Sequence, residues 1–269
     1  MTTLTVPAKF NGPAAGGNGG YSCGVVAAAF DGPTAVSLRR PVPLDRPLDL
    51  RTAENGSLCA FAADQLIAEA VAAAPLAPWP GPAVSLPEAR AAHDRFAAPS
   101  DGIFDHCFVC GRARPDGFGV FAGPLGEGAR AESDVPGNER RAETNAPGDD
   151  LYYIRHSAGD IVASPWTPPA WTADADADGA VRPEFVWAAL DCPGYFALHG
   201  TDLAVAYLVR QQVEILTPLR AGVEYVAVGR ALERSGRKGL AATAILDPGG
   251  EVLAHGECLL VVPRQMSHG

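Results

Sequence analysis

The sequence is short of positive charge, of lysine in particular and of long apolar runs, and each shortage closes off a class of function. Its 21 Lys and Arg are outnumbered by 31 Asp and Glu, leaving a formal net charge of −10. Such a chain lacks the basic field that neutralises nucleic-acid phosphates, so nucleic acid is excluded as a partner. A local cluster of arginines can still hold a small anion, because local potential outweighs global charge. No apolar stretch approaches the roughly 20 residues that span a bilayer, which argues against a membrane partner. The opening MTTLTVPAKF shows no basic segment followed by an apolar one, so a cytoplasmic location is the expectation. Nor is there a disulfide framework. Cys23, Cys59, Cys107, Cys110, Cys192 and Cys258 are scattered, and in a reducing compartment they read as small apolar fillers.

What is present is enough apolar material for a core, 47% of 269 residues, and a repeated order of elements. Residues 3–10 alternate like a short strand. GPAAGGNGG then opens onto the apolar YSCGVVAAAF, a helix start that Asn18 can cap. TAVSLRR and RPLDLRTA read as strands, Asn55-Gly56 is a tight-hairpin signal, and the run from Ser57 to Ala74 continues as strand. Residues 76–104 form a Pro- and Ala-rich linker with one short helix. A new unit begins at 105, with a strand through GFGVFAGPL, an exposed insertion near 126–150 and a second strand region in LYYIRHSAGDIVASPW. PEFVWAALDCPGYFAL has helical spacing. AVAYLVRQQVEIL, VEYVAVGRAL, LAATAIL and EVLAHGECLLVV follow as an antiparallel meander with TPLRAG, ERSGRKG and DPGG turns. A helix and then strands, twice, means an α+β chain with an N-terminal unit over 1–75 and a C-terminal unit over 105–263.

Several short motifs carry chemistry, each with a plain structural alternative. Asp191 lies among apolar neighbours on the last helix, as either a desolvated functional acid or a cap near Pro193-Gly194. Gly19 and Gly20 offer free helix-start N–H groups to an oxyanion, or else mark a loop needing positive φ. Gly20-Tyr21-Ser22-Cys23-Gly24 has nucleophile-elbow spacing without the buried strand an elbow requires. Cys107-x-x-Cys110 is half of a zinc site; with no second close pair of Cys or His at finger-like spacing, no metal is expected there. Asp174-x-Asp176-x-Asp178-Gly179 imitates a calcium loop but has Phe185 at the twelfth position, so it reads as a solvated acidic loop. Arg39-Arg40 and Arg237-Lys238 are candidate phosphate ligands or ordinary solvated charge at strand ends.

Cys107-Phe108-Val109-Cys110-Gly111, followed by Pro115, Gly117, Gly119 and Phe121, resembles the opening strand of many bacterial hotdog thioesterases. Pro183–Leu198 is similar to the central hotdog helix, which starts at His-Gly-Gly and carries an acid. Counted back from Asp191, the His-Gly-Gly positions fall on Arg182, Pro183 and Glu184, so the glycines are missing in this half. Asn18-Gly19-Gly20-Tyr21 matches the helix start, but nine residues beyond Asn18 stands Ala27 instead of an acid. The resemblance covers roughly residues 1–263 without the linker and insertion. It implies a double hotdog, two helix-wrapped antiparallel sheets packed as a pseudo-dimer within one chain.

The resemblance also implies one composite site between the halves. Asp191 would act as base or nucleophile and the Gly19 and Gly20 amides as oxyanion donors. Asn18, Tyr21, Arg39, Arg40, Arg237 and Lys238 would contact substrate. The expected activity is hydrolysis of an acyl-CoA or acyl-carrier thioester without a cofactor, by a chain that assembles as a homodimer. The competing reading is a non-catalytic acyl-thioester binding protein. A hotdog hydratase is disfavoured, since no Asp-then-His dyad accompanies the helix start.

Overall fold

The computed structural model describes residues 2–12, 16–96, 104–126, 161–174, 178–199 and 206–263. In the first half, β1 (Thr3–Thr5) precedes α1 (Gly19–Ala27), whose N-cap Asn18 accepts from the Tyr21 N–H at 2.9 Å. Then come β2 (Thr34–Leu38), β3 (Pro47–Thr52), β4 (Leu58–Ala62) and β5 (Gln65–Ala72). Asn55-Gly56 folds β3 onto β4 with Gly56 at φ +81°, a conformation glycine adopts without steric cost. The run after it, expected as continuous strand, is a second hairpin turning at Ala63 (φ 51°) and Asp64.

The segment expected as a linker contains α2 (Leu86–Asp94), closed at its start by reciprocal hydrogen bonds between Ser85 and Glu88. The second half contains a two-residue β6 (Gly123–Pro124), β7 (Ile161–Trp166), α3 (Pro183–Ala189) and α4 (Asp191–His199). It continues with β8 (Tyr207–Ile215), β9 (Tyr225–Ser235), β10 (Lys238–Leu246) and β11 (Val252–Val261).

Both halves follow one path. The first is ordered β1-β3-β4-β5-β2 and the second, read from its far side, β7-β9-β10-β11-β8, with the short β6 added outside β7. An antiparallel β2–β8 ladder (Ala35↔Gln212, Val36↔Gln211, Ser37↔Arg210) joins them into one 11-stranded sheet. The alternation of faces is plainest in β9, buried on both sides: Tyr225 and Ala227 join the main core, whereas Val226 and Val228 join the cluster with α2 on the opposite side.

Two expectations fail locally. The segment from Cys107 to Phe121 is not a strand; only Gly123 and Pro124 pair with β7. Its polar backbone is used instead in turns and contacts, with Phe108 N–H donating to Asn11 O and Val120 N–H to Val109 O. The first long strand of the second half is β7, while residues 151–160 and nearly all of the 126–150 insertion lie outside the described residues. The helix expected as continuous over 183–198 is interrupted at Leu190. Pro193 has no N–H for the Ala189 carbonyl four residues earlier, and its ring clashes there, so α3 ends and α4 begins.

Candidate active site

α1 and α3 cross over the β2–β8 seam at very short range. A Cβ on Gly20 would lie 2.6 Å from the Trp187 carbonyl oxygen, and one on Gly24 would lie 2.6 Å from Glu184 Cα. Neither glycine has positive φ; both sit within the helix, so close approach and not a special turn accounts for them. The four-residue spacing of Gly20 and Gly24 was the sequence signal for this crossing, and sequence reasoning did not use it.

The crossing delivers Asp191, first residue of α4, to the start of α1. Its Oδ2 accepts from the Gly20 N–H at 2.9 Å and from Asn18 Nδ2 at 3.4 Å. Asp191 therefore caps a helix, but the opposing one rather than its own. Asp191 is buried, and desolvation pushes its carboxyl up to about 7. Negative charge at Cys107 adds to the rise, while the Gly20 and Asn18 hydrogen bonds oppose it. A carboxyl poised near neutrality, beside helix-start donors that also suit an oxyanion, can exchange a proton with a bound water.

The equivalent place in the second half is differently made. α3 starts at Arg182-Pro183-Glu184 with no side-chain cap, and Pro183 has no N–H to offer. Ala27 stands where an acid would face it.

Asn18 reaches further, placing Nδ2 3.8 Å from the Cys107 sulfur. The sequence shows no second close pair of ligands for Cys107 and Cys110, but the fold brings them a third thiol from far along the chain. Cys192, on the first turn of α4, brings its sulfur to them, and the three ligand atoms lie within 4.8 Å of one another. The Cys110 and Cys192 thiols hydrogen-bond to Cys107 and hold it well below the ordinary thiol range. The missing signal was long-range, since Cys192 is far from the pair in sequence.

Tyr21 is buried against Phe10 (centroids 4.2 Å apart) and Phe185 (5.5 Å), and desolvation pushes its phenol up to about 12. Phe10 also lines a cavity of about 210 Å³ together with Lys9, Phe108, Asp116 and Trp171. Arg39 and Arg40 follow β2 on the surface, where Arg39 pairs with Glu69 at 2.7 Å. Arg237 lies in the β9–β10 turn and Lys238 opens β10, where a Cβ on neighbouring Gly239 would lie 2.8 Å from Leu198 at the other end of α4. The structure thus gathers Asn18, Gly19, Gly20 and Asp191, with Tyr21 close by, and leaves the Arg237-Lys238 pair at the far end of α4. Ser22 lies inside α1, and among the described residues no strand leads into a nucleophile turn, so the elbow reading is set aside. In the acidic loop, Asp174 pairs with Arg182 at 3.7 Å, and Asp176 lies outside the described residues.

No family model and no curated protein matches the sequence. Solved structures do match over nearly the whole chain. A provisionally named thioesterase from Novosphingobium aromaticivorans is 13% identical, with a TM-score of 0.55, covering 97% of this chain and 95% of its own. A provisionally named thioesterase II from Thermobifida fusca is 17% identical at TM-score 0.55, covering 97% and 92%. A tesB protein of Mycobacterium avium is 14% identical at TM-score 0.51, covering 97% and 91%. At such identities the likeness is one of fold, and with the strand path and overlying helices it gives this chain the hotdog fold.

Proposed function

We propose that the chain is a double hotdog, an intrachain pseudo-dimer, that hydrolyses an acyl-CoA or acyl-carrier thioester at one composite site. The observation that carries this reading is the buried Asp191 carboxylate 2.9 Å from the Gly20 amide of the opposing helix. In the reaction, Asp191 takes a proton from water, whose oxygen attacks the thioester carbonyl carbon. The Gly19 and Gly20 N–H groups receive the developing oxyanion, and the C–S bond breaks as the thiol leaves with a proton. Binding requires the carbonyl oxygen to take over the Gly20 N–H now held by Asp191. The cavity lined by Phe10, Phe108 and Trp171, with Lys9 and Asp116, suits a short acyl or aryl group. Arg39, Arg40, Arg237 and Lys238 are the surface cations this reading assigns to coenzyme A phosphates. A cytoplasmic location and a homodimeric assembly accord with it.

The test is thiol release from a panel of acyl-CoA esters by purified wild type and Asp191→Asn. Amidation keeps the size and an acceptor for the Gly20 N–H but removes the base, so turnover should fall by about 10²- to 10⁴-fold with the circular dichroism spectrum unchanged. Wild-type-like turnover by Asp191→Asn would remove the acid from the site. One observation favours the binding-only alternative: a Cβ on Gly19 would lie 2.9 Å from Leu208, so the donor region is tightly filled. A ligand-dependent rise in melting temperature without thiol release would establish that alternative.

A further inference from the structure

We infer that Cys107, Cys110 and Cys192 bind one zinc ion, which ties the segment over residues 104–122 to the first turn of α4 beside Asp191. The three sulfur atoms already lie within 4.8 Å of one another. A tetrahedral ion with Zn–S bonds of about 2.3 Å needs sulfurs about 3.8 Å apart, so a contraction of at most about 1 Å closes the gap.

The turn bearing the first two ligands is built around a sulfur. Asn18 Nδ2 approaches Cys107 Sγ to 3.8 Å. The Gly111 N–H returns to the Cys107 carbonyl at 2.8 Å. A Cβ at Gly111 would lie 2.4 Å from the carbonyl oxygens of both Asp105 and Cys107, so only glycine closes the turn this tightly. All three sulfurs are buried, and a cation is what makes a buried thiolate cluster electrically tolerable.

The other cysteines behave as ordinary fillers. Cys23 and Cys258 meet backbone carbonyls at 3.9 and 3.4 Å, and Cys59 lies on β4. Three sulfur donors select a thiophilic ion such as zinc over calcium or magnesium, which take oxygen ligands. On binding, the thiols become thiolates and their protons pass to solvent. The fourth position is left for a water.

Elemental analysis of the full chain, expressed with added zinc and freed of loose metal by gel filtration, tests this directly. About one equivalent of zinc is expected, with Cys107→Ser and Cys192→Ser each losing at least the roughly 10- to 100-fold in affinity that changes around a metal site cause. Cys59→Ser should keep its zinc. If a ligand variant fails to fold, cobalt exchange into wild type answers the same question through its thiolate charge-transfer absorption. Metal-free wild type with six titratable thiols would overturn the inference. So would a mass two hydrogens lighter, reporting a disulfide, or zinc retained by both ligand variants. None of these readouts uses turnover, so failure here is distinct from failure of the thioesterase reading.

Discussion

A methyl group on Gly20 would meet Asp191 Cβ at 2.7 Å as well as the Trp187 carbonyl, so this position has no room for any side chain. Gly→Ala within a helix ordinarily gains about 0.5–1 kcal/mol. Overpacking costs about 1–3 kcal/mol, and here the obstacle is backbone, which yields least. Gly20→Ala should therefore be net destabilising in urea unfolding; a stabilised variant would mean the helices do not cross as described. At Asn18, two roles separate by substitution. Asn18→Ala should cost about 1 kcal/mol by removing the cap of α1. Asn18→Ser restores the cap but not the amide donor to Asp191, so it should fold nearly as well as wild type while thioester turnover falls. Unchanged turnover in Asn18→Ser would separate that amide from the chemistry.

At the scale of elements, α2 shows how a linker helix becomes part of the core. Val84, Ala89 and Ala92 pack against Ala163, Val226 and Val228, and His93 Nδ1 lies 3.3 Å from Ser164 Oγ on β7. Burial lowers the His93 pKa, with Asp94 opposing the shift and Arg112 adding to it. A depressed folded pKa means the unfolded chain binds the proton more tightly. The stabilisation is present above the ordinary value of 6.5 and is lost as pH falls from there through the folded pKa. The melting temperature should drop across that window, and less steeply in His93→Gln. Equal slopes in the two proteins would place the pH response elsewhere. α4 shows a different economy: Pro193 interrupts the helix, yet its carbonyl packs where a Cβ on Gly229 would lie 2.2 Å away. The residue that breaks the helix also docks it on β9, and the break leaves Asp191 at a helix start, where a carboxylate is favoured.

For the whole molecule, the sheet seam is narrow but the core above it is shared. One apolar cluster contains Val26 and Val36 from the first half together with Phe185 and Leu260 from the second. Unfolding should therefore be a single transition, with tryptophan fluorescence and far-ultraviolet circular dichroism coincident in urea. Separate midpoints would show that the halves fold independently. The described residues contain no helix long and apolar enough to cross a membrane.

Much of this was legible because it is local. Asn55-Gly56 makes its turn from its own φ preferences, Asn18 caps the residues next to it, and the last four strands alternate because each has two faces. The α+β character and the repeated helix-then-strands order follow from such signals. Tertiary structure decided what depends on residues far apart in sequence. Cys192 joins Cys107 and Cys110 only because α4 packs beside the turn after the linker. Gly20 and Gly24 matter only because α3 crosses there, and the two sheets become one only through β2 and β8. The 107–121 segment, apolar enough to read as a strand, has its backbone hydrogen bonds satisfied by turns and by contacts such as Phe108 to Asn11. A sequence carries its propensities residue by residue, whereas a site formed by opposing helices exists only once packing has fixed their distance.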